Sequence, residues 1–350
     1  MNMKSGLRLL VCTQAVDRDD PALGFFHRWL EELAERCEHV YIICLKEGEH
    51  HLPPNVSVYS LGKEKGRSLL KYISRFYRFL WSLRGEYDAV FVHMNSEYVL
   101  LDGLLWNIWG KRVVLWRNHR KGGAMIRIAA LFSDAVCYTS PASFTARYAH
   151  AVRMPIGIDT EQFSAGQTRE DPLSILFFGR LDPVKYPHAF VTALGILHRQ
   201  GVLFHATICG DPTKADDPYA EKVKESAAFL VEQEKLKFLP AIPHGETPAL
   251  FQKYAIYVNL TPSGSFDKTI GEALASGCLV VAANAVVKDV LSEPLFVRDI
   301  SPVETARAIK AALDMPESER ERARRSGREY VEREHSLTLL MERLMRILAE

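Results

Sequence analysis

Two cations five residues apart carry the first chemical suggestion in this chain. In FFGRLDPVKYP, Arg180 and Lys185 straddle a turn that Pro183 helps define, directly after Gly179 at the end of an apolar run. That spacing suits a clamp on two oxygens of a diphosphate; it equally suits a strand-to-helix turn with solvated charges. A second segment, TPSGSFDKTIGEALASG, carries Ser263, Gly264 and Ser265, small residues that leave the backbone open to close approach by a ligand. The helix that follows presents unpaired N–H groups at its positive end, a ready place for an anion. Glu272, about one turn in, is placed to accept the two hydroxyls of a ribose. The plainer reading is a Ser-Gly turn before a core helix that Gly277 ends. In the first half, His93 ends the run DAVFVH, and Arg117, Asn118 and His119 follow RVVLW. A lone strand-end histidine is commonly a satisfied structural group. Two, aimed at one edge from separate strands, favour a functional role for His119 more than for His93.

Residues at strand ends need strands to hold them. Apolar β-type runs at 7–13, 40–45, 56–61, 89–93, 113–117 and 135–139 alternate with helix-period segments at 24–36, 68–83 and 125–132. The alternation lapses at 156–172, polar and turn-forming, and restarts with strands at 174–178, 204–209, 256–260 and 279–283 separated by helical stretches. Such a pattern predicts βαβ units and parallel sheets covered on both faces. The 350 residues suit two domains. The resulting expectation is α/β, two tandem Rossmann-like doubly wound domains facing a cleft. Their bounds are 1–157, a linker at 158–172, 173–334, and a final helix at 335–350 that packs back toward the first domain. In open parallel sheets, ligands bind beyond the carboxyl ends of the strands at switch points.

Composition narrows the classes. Forty-four Lys+Arg against 43 Asp+Glu leave +1, so no global field draws the chain to nucleic acid. Six scattered cysteines without C-x-x-C spacing read as buried, reduced thiols of a cytoplasmic protein. The apolar part of the first segment is short for a signal peptide, and no apolar run reaches the ~18 residues of a membrane span. Asp17-Arg18-Asp19 has Asp-x-Asp spacing but stands in the loop before the first helix, so no metal site is assigned.

Charge is uneven even so. Between Lys65 and Arg84 there are six cations, five aromatics and no acid, and Gly103 to Ser133 is also free of acids. On a helix at ~100° per residue, Leu69, Ile73, Phe76, Leu80 and Leu83 form one stripe. Arg67, Lys71, Arg75 and Arg78 gather on the opposite face. The stripe is expected to pack on the sheet, while Arg75, Arg78 and Trp81 are placed to meet an anionic membrane surface.

In order and spacing, LGFFHRWLEELA, YDAVFVH, VVLWRNH, PIGIDTEQF, FFGRLDPVKYP and GSFDKTIGEALASGCLVVAAN resemble the family-4 retaining glycosyltransferases of the GT-B fold (glycosyl transferases group 1). They span nearly the whole chain. The resemblance implies a metal-independent hexosyltransferase that uses a UDP- or GDP-linked sugar and needs no cofactor. Arg180 and Lys185 would hold the donor diphosphate, and His119 would lie beside the transferred sugar; these three form the implied catalytic set. Gly24 would let the first helix approach the phosphates, and Glu272 would bind the ribose. Gly179, Ser263, Gly264, Ser265, Phe266, Asp267, Lys268 and Thr269 complete the implied donor site, with His93, Arg117 and Asn118 on the acceptor side. One departure is clear: Gly264 stands where the family has the first glutamate of a Glu-x7-Glu pair. Asp267 and Lys268 offer a carboxylate and an extra phosphate cation nearby, or else cap and solvate the helix start. The implied acceptor is a sugar or a lipid-linked sugar, in cell-surface glycan or glycolipid assembly on the inner membrane face. An inverting enzyme of the same fold and a nucleotide-sugar-binding protein without turnover are the alternatives. A nicotinamide enzyme is disfavoured because G-x-G-x-x-G follows neither domain's first strand.

Overall fold

The computed structural model describes residues 6–20, 22–66, 68–166, 171–263 and 266–350. Gly264, Ser265, Arg67 and linker residues 167–170, named above, lie outside the described residues. The chain divides into two compact units: unit 1 is Met1–Pro155, Pro243–Gly245 and Leu337–Glu350, and unit 2 is Ile156–Ile242 and Glu246–Ser336.

Unit 1 is built on seven strands: β1 (Arg8–Val16), β2 (His39–Glu47), β3 (Val56–Ser60), β4 (Ala89–His93), β5 (Arg112–Trp116), β6 (Ala135–Tyr138) and β7 (Ala151–Arg153). They lie in the order β3-β2-β1-β4-β5-β6-β7 and every pairing is parallel. The order reverses at β1, where Leu9 pairs with Val40 on one side and Ala89 on the other. Both sheet faces are covered, which is why runs such as LLVC and VVLW are apolar without alternation. Helices α1 (Phe25–Arg36) and α11 (Leu337–Ala349) share one core, with Phe26, Trp29 and Leu30 against Leu340, Met341 and Leu344. The other face is covered by α2 (Leu69–Leu83), α3 (Glu97–Ile108) and α4 (Ala124–Leu131) through Phe76, Leu80, Tyr98, Trp106 and Ala129.

Two expectations for α2 need correction. Leu69 does not pack on the sheet but stands 70% exposed. That end of the helix borders an open groove of ≈ 640 Å³, shared with Tyr98 and Leu101 of α3. Arg75 is no free cation of the outer face, because its Nη1 donates to the Leu61 carbonyl at 2.8 Å.

One residue in this layer breaks the usual rule for buried charge. Asp102 on α3 is 1% exposed, and among the described residues neither carboxyl oxygen has a hydrogen-bond partner. Burial pushes its pKa up to about 7. Its charge is felt by Cys12, Tyr77 and Tyr87.

Unit 2 repeats the plan with five strands: β8 (Ser174–Phe178), β9 (His205–Cys209), β10 (Leu236–Leu239), β11 (Ile256–Asn259) and β12 (Leu279–Ala282). Their order is β10-β9-β8-β11-β12, again all parallel, with the switch between β8 and β11. The covering helices are α5 (Pro187–Arg199), α6 (Pro218–Glu232), α7 (Thr247–Lys253), α8 (Lys268–Ala275), α9 (Pro302–Asp314) and α10 (Glu317–His335). The charged run ESERERARR is the start of α10. It has Glu317 and Glu319 in its first turn and Arg333 and His335 in its last, signs that suit the helix dipole. Arg328 fastens α10 to unit 2 by donating to the carbonyls of Ala275, Phe163 and Thr160 at 2.5, 3.1 and 3.2 Å. The two-domain α/β expectation is borne out in both sheets. Among the described residues no helix is long and apolar enough to cross a membrane.

Candidate functional site

At the switch of unit 2, β8 ends and Gly179 takes φ +144, a conformation that disfavours any side chain. The turn after β9 lies against it: a Cβ on Gly210 would sit 2.2 Å from the Gly179 carbonyl. Arg180 then turns its guanidinium to Asp182 at 3.2 Å and to Thr213 Oγ1 at 3.3 Å, with its side chain half exposed. The 3-10 turn Pro183–Lys185 brings Lys185 back over Gly179, whose Cβ position would lie 3.8 Å from Lys185 Cε. Tyr186, next in the chain, holds φ +57, rare for a residue with a side chain, and caps α5.

The ammonium of Lys185 ends on Asp267, from the loop after β11. Asp267 is a hub. It accepts from Asn259 Nδ2 at 3.0 Å, Thr261 Oγ1 at 2.8 Å and Thr269 Oγ1 at 3.0 Å. Tyr257 closes the cluster, its hydroxyl 2.7 Å from Thr269 Oγ1 and 2.9 Å from Asn259 Nδ2. Burial alone would raise the Asp267 pKa. The Lys185 charge and the hydrogen bonds from Lys185, Asn259 and Thr261 outweigh it and hold the carboxyl well below the usual range. The side chain therefore does not cap α8, although Asp267 is its N-cap residue.

Lys268 is not a solvated charge either. Its Nζ donates to the Gly157 carbonyl at 2.7 Å. Burial lowers its pKa to about 8, against the opposing charges of Glu272 and Asp159. Glu272 is 2% exposed, one turn further along α8. Ser263 accepts at Oγ from the Ala285 N–H at 2.9 Å, and Phe266 is buried edge-on to His335 at 4.9 Å.

Unit 1 arranges its strand ends differently. His93 is buried and stacked on Phe26 at 3.9 Å, with Nδ1 3.4 Å from Thr13 Oγ1. Met94 beside it has φ +67. Arg117 donates from Nη1 to the Met94 carbonyl at 3.3 Å, while its buried Nε has no hydrogen-bond partner among the described residues. Asn118 ties down the turn after β6, accepting from Ser143 Oγ at 2.6 Å and the Thr139 N–H at 3.3 Å. His119 is exposed. Its Nδ1 faces the Lys121 backbone, accepting from the N–H at 2.9 Å and standing 3.2 Å from the carbonyl oxygen. Gly24 begins α1 under a folded loop: a Cβ there would lie 2.6 Å from the Arg18 carbonyl and 2.7 Å from that of Asp20. Asp17 faces Lys46 at 3.2 Å.

The structure thus brings Gly179, Lys185, Asp267 and Thr269 into one cluster, with Arg180 beside it. His93 lies in an aromatic core, and Asn118 serves the loop. Sequence reasoning missed Asn259, Thr261 and Tyr257. The available signal was the polar Asn-Leu-Thr step at the carboxyl end of an apolar strand.

Two all-parallel doubly wound units in tandem define the GT-B architecture, and solved structures share it along the chain. HepE from Anabaena, solved in complex with UDP and glucose, matches 98% of this chain and 100% of its own with TM-score 0.78 at 16% identity. Sucrose-phosphate synthase from Thermosynechococcus elongatus matches 98% of both chains with TM-score 0.76 at 15% identity. Residues 159–330 match the family model "Glycosyl transferases group 1". A D-inositol 3-phosphate glycosyltransferase from Salinispora tropica is 28% identical over 148 residues, which are 40% of this chain and 30% of that relative's length.

Proposed function

We propose that the protein is a nucleotide-sugar-dependent glycosyltransferase that transfers a hexose to an acceptor hydroxyl with retention of configuration. The observation that carries this reading is the convergence of Lys185, Asp267 and Thr269, with Arg180 alongside, at the switch point of the unit that matches the glycosyl transferases group 1 model. An ammonium has three donors. With one spent on Asp267, Lys185 keeps two for the oxygens of a UDP- or GDP-linked diphosphate, and Arg180 adds a planar fork. Both cations meet the charge that grows on the leaving diphosphate, so the route needs no metal ion. As the sugar's C1–O bond to phosphate breaks, a C1–O bond to the acceptor forms on the same face. The acceptor proton passes to the departing phosphate oxygen. Glu272 takes the ribose hydroxyls, and His119 of unit 1 serves the transferred sugar. Unit 1 takes the acceptor, a sugar or lipid-linked sugar of cell-surface glycan or glycolipid assembly. HepE, solved with UDP-glucose, supports a nucleotide-sugar donor by analogy. Six free, buried cysteines suit work in the cytoplasm.

A thermal-shift panel of UDP- and GDP-sugars tests the reading. A donor at 100-fold its dissociation constant stabilises by ~2.7 kcal/mol. At least one donor should raise the transition of the wild-type protein and fail to raise that of an Arg180→Ala/Lys185→Ala variant. No response to any nucleotide sugar would remove the proposal. Turnover that yields the opposite anomer would leave the donor site standing and remove retention.

A further inference from the structure

Unit 1 is apolar on the outside as well as within. Leu104 and Ile108 of α3 are 58% and 68% exposed, Met125 and Leu131 of α4 are 60% and 79% exposed, and Trp81 of α2 is 59% exposed. These helices lie side by side on one face of the sheet. The Tyr77 hydroxyl donates to the Leu101 carbonyl at 2.9 Å, Trp81 and Trp109 meet edge to face at 6.0 Å, and α3 packs on α4. Their outer side chains therefore form one continuous layer. Single exposed leucines need no explanation, but a contiguous layer of large aliphatic side chains at the most exposed positions does.

The charge among those apolar residues is mostly positive, the exposed acids being Glu97 at the start of α3, Glu86 after α2 and Asp134 after α4. Lys71, Arg78, Arg84 and Arg127 are exposed among the apolar residues, and Arg120 and Lys121 precede α4. Neither 65–84 nor 103–133 contains an acid, and Asp102 of α3 is buried. Arg84 stands over the Trp81 ring at 5.0 Å, a cation and an amphipathic ring in one place. Arg75 takes no part, being held at Leu61.

We propose that the outer face of α2, α3 and α4 docks on an anionic lipid bilayer, with the leucine, isoleucine, methionine and tryptophan side chains entering the headgroup boundary and the cations meeting lipid phosphates. A second copy of the chain is the poorer occupant. A twofold contact would set this face against itself and oppose cation to cation. A bilayer satisfies both features at once, because apolar insertion and attraction to anionic lipid act together. The inference concerns unit 1 alone and involves no donor, so its failure and the failure of the transfer reaction are separate events.

The test is co-sedimentation of the full chain with vesicles of phosphatidylglycerol and phosphatidylcholine, against phosphatidylcholine alone. The anionic vesicles should bind at least tenfold more protein. An Ile108→Glu/Leu131→Glu variant should lose at least tenfold of that binding with circular dichroism unchanged. A Val303→Glu control, at an exposed valine of unit 2, should bind like the wild type. Raising salt from 0.1 to 1 M shortens the Debye length from about 10 to 3 Å. Binding should then weaken several-fold without vanishing, because the apolar contacts remain. No binding to the anionic vesicles, or equal binding by wild type and the double variant, overturns the proposal. So does a dimer in light scattering that the double variant converts to monomer while vesicles bind neither form.

Discussion

Two buried aspartates, one in each unit, meet opposite fates. Asp267 in unit 2 is surrounded by a lysine, an asparagine and two threonines, and stays ionised far into acid. Asp102 in unit 1 has no hydrogen-bond partner among the described residues, and burial pushes its pKa up to about 7. Burial is common to both, so partners decide the outcome. The contrast distinguishes a charge prepared for use from one that is merely tolerated. Asp267 orients the lysine that the donor reading needs, whereas Asp102 is a cost carried on a helix that is otherwise mostly apolar. Their effects on stability run in opposite directions. Asp267 contributes stability above its unfolded pKa of ~3.9, lost as the pH falls through its lower folded value. Asp102 binds its proton more tightly when folded, so stability falls as pH rises from ~4 to about 7 and stays reduced above that.

The strongest way to break this contrast is Asp267→Asn. It leaves Lys185 half-buried without its counter-charge and should cost about 3–5 kcal/mol in urea denaturation at pH 7. A variant as stable as the wild type would mean the pair holds nothing in place. Asp102→Asn should act in reverse, stabilising by roughly 2–4 kcal/mol at pH 8 and by almost nothing below pH 4. A pH-independent effect would show that packing, not charge, governs the site. Arg180→Ala touches the clamp without touching the Lys185–Asp267 pair. Turnover should fall on the order of 10²-fold with the melting transition almost unmoved. Lys185→Ala should lose as much turnover and also stability, since it strands Asp267. The smallest effect is expected from Glu272→Gln. The donor KM should rise about tenfold with kcat near normal, as for a group bound alike in ground and transition states. A collapse of kcat at unchanged KM would make Glu272 catalytic.

Much of this arrangement was legible in the residues. Runs such as YIIC and VVLW are apolar on both faces, which requires covered parallel strands, and strand ends then mark where ligand-binding groups belong. Arg180 and Lys185 stood out because two cations flank one turn at such an end. Asp267 stood out too, as a carboxylate near the helix start, but not as the partner of Lys185. The register that brings residue 267 to residue 185 is set by the crossover between β8 and β11, and no local pattern reports it. Asn259 was hidden because one polar residue closing an apolar strand resembles an ordinary turn. Leu69 shows a different limit: periodicity assigns a side chain to a direction on its helix, but not whether the neighbouring layer extends far enough to cover it. The strand β7 has only three residues, and β10, Leu-Lys-Phe-Leu, breaks its apolar run with a lysine, so neither stands out as the apolar runs of β11 and β12 do.

The place of α11 has a consequence for how the chain is made. Its leucines complete the core that α1 begins, yet all of unit 2 is synthesised between them. At about 5–20 residues per second, the seat on α1 waits roughly 15–60 s for its occupant. Over that interval a nascent chain presents Phe26 and Leu30 to whatever binds apolar surface. The unit translated first is therefore the one that finishes folding last, and a ribosome stalled before residue 337 would hold a complete unit 2 beside an unfinished unit 1.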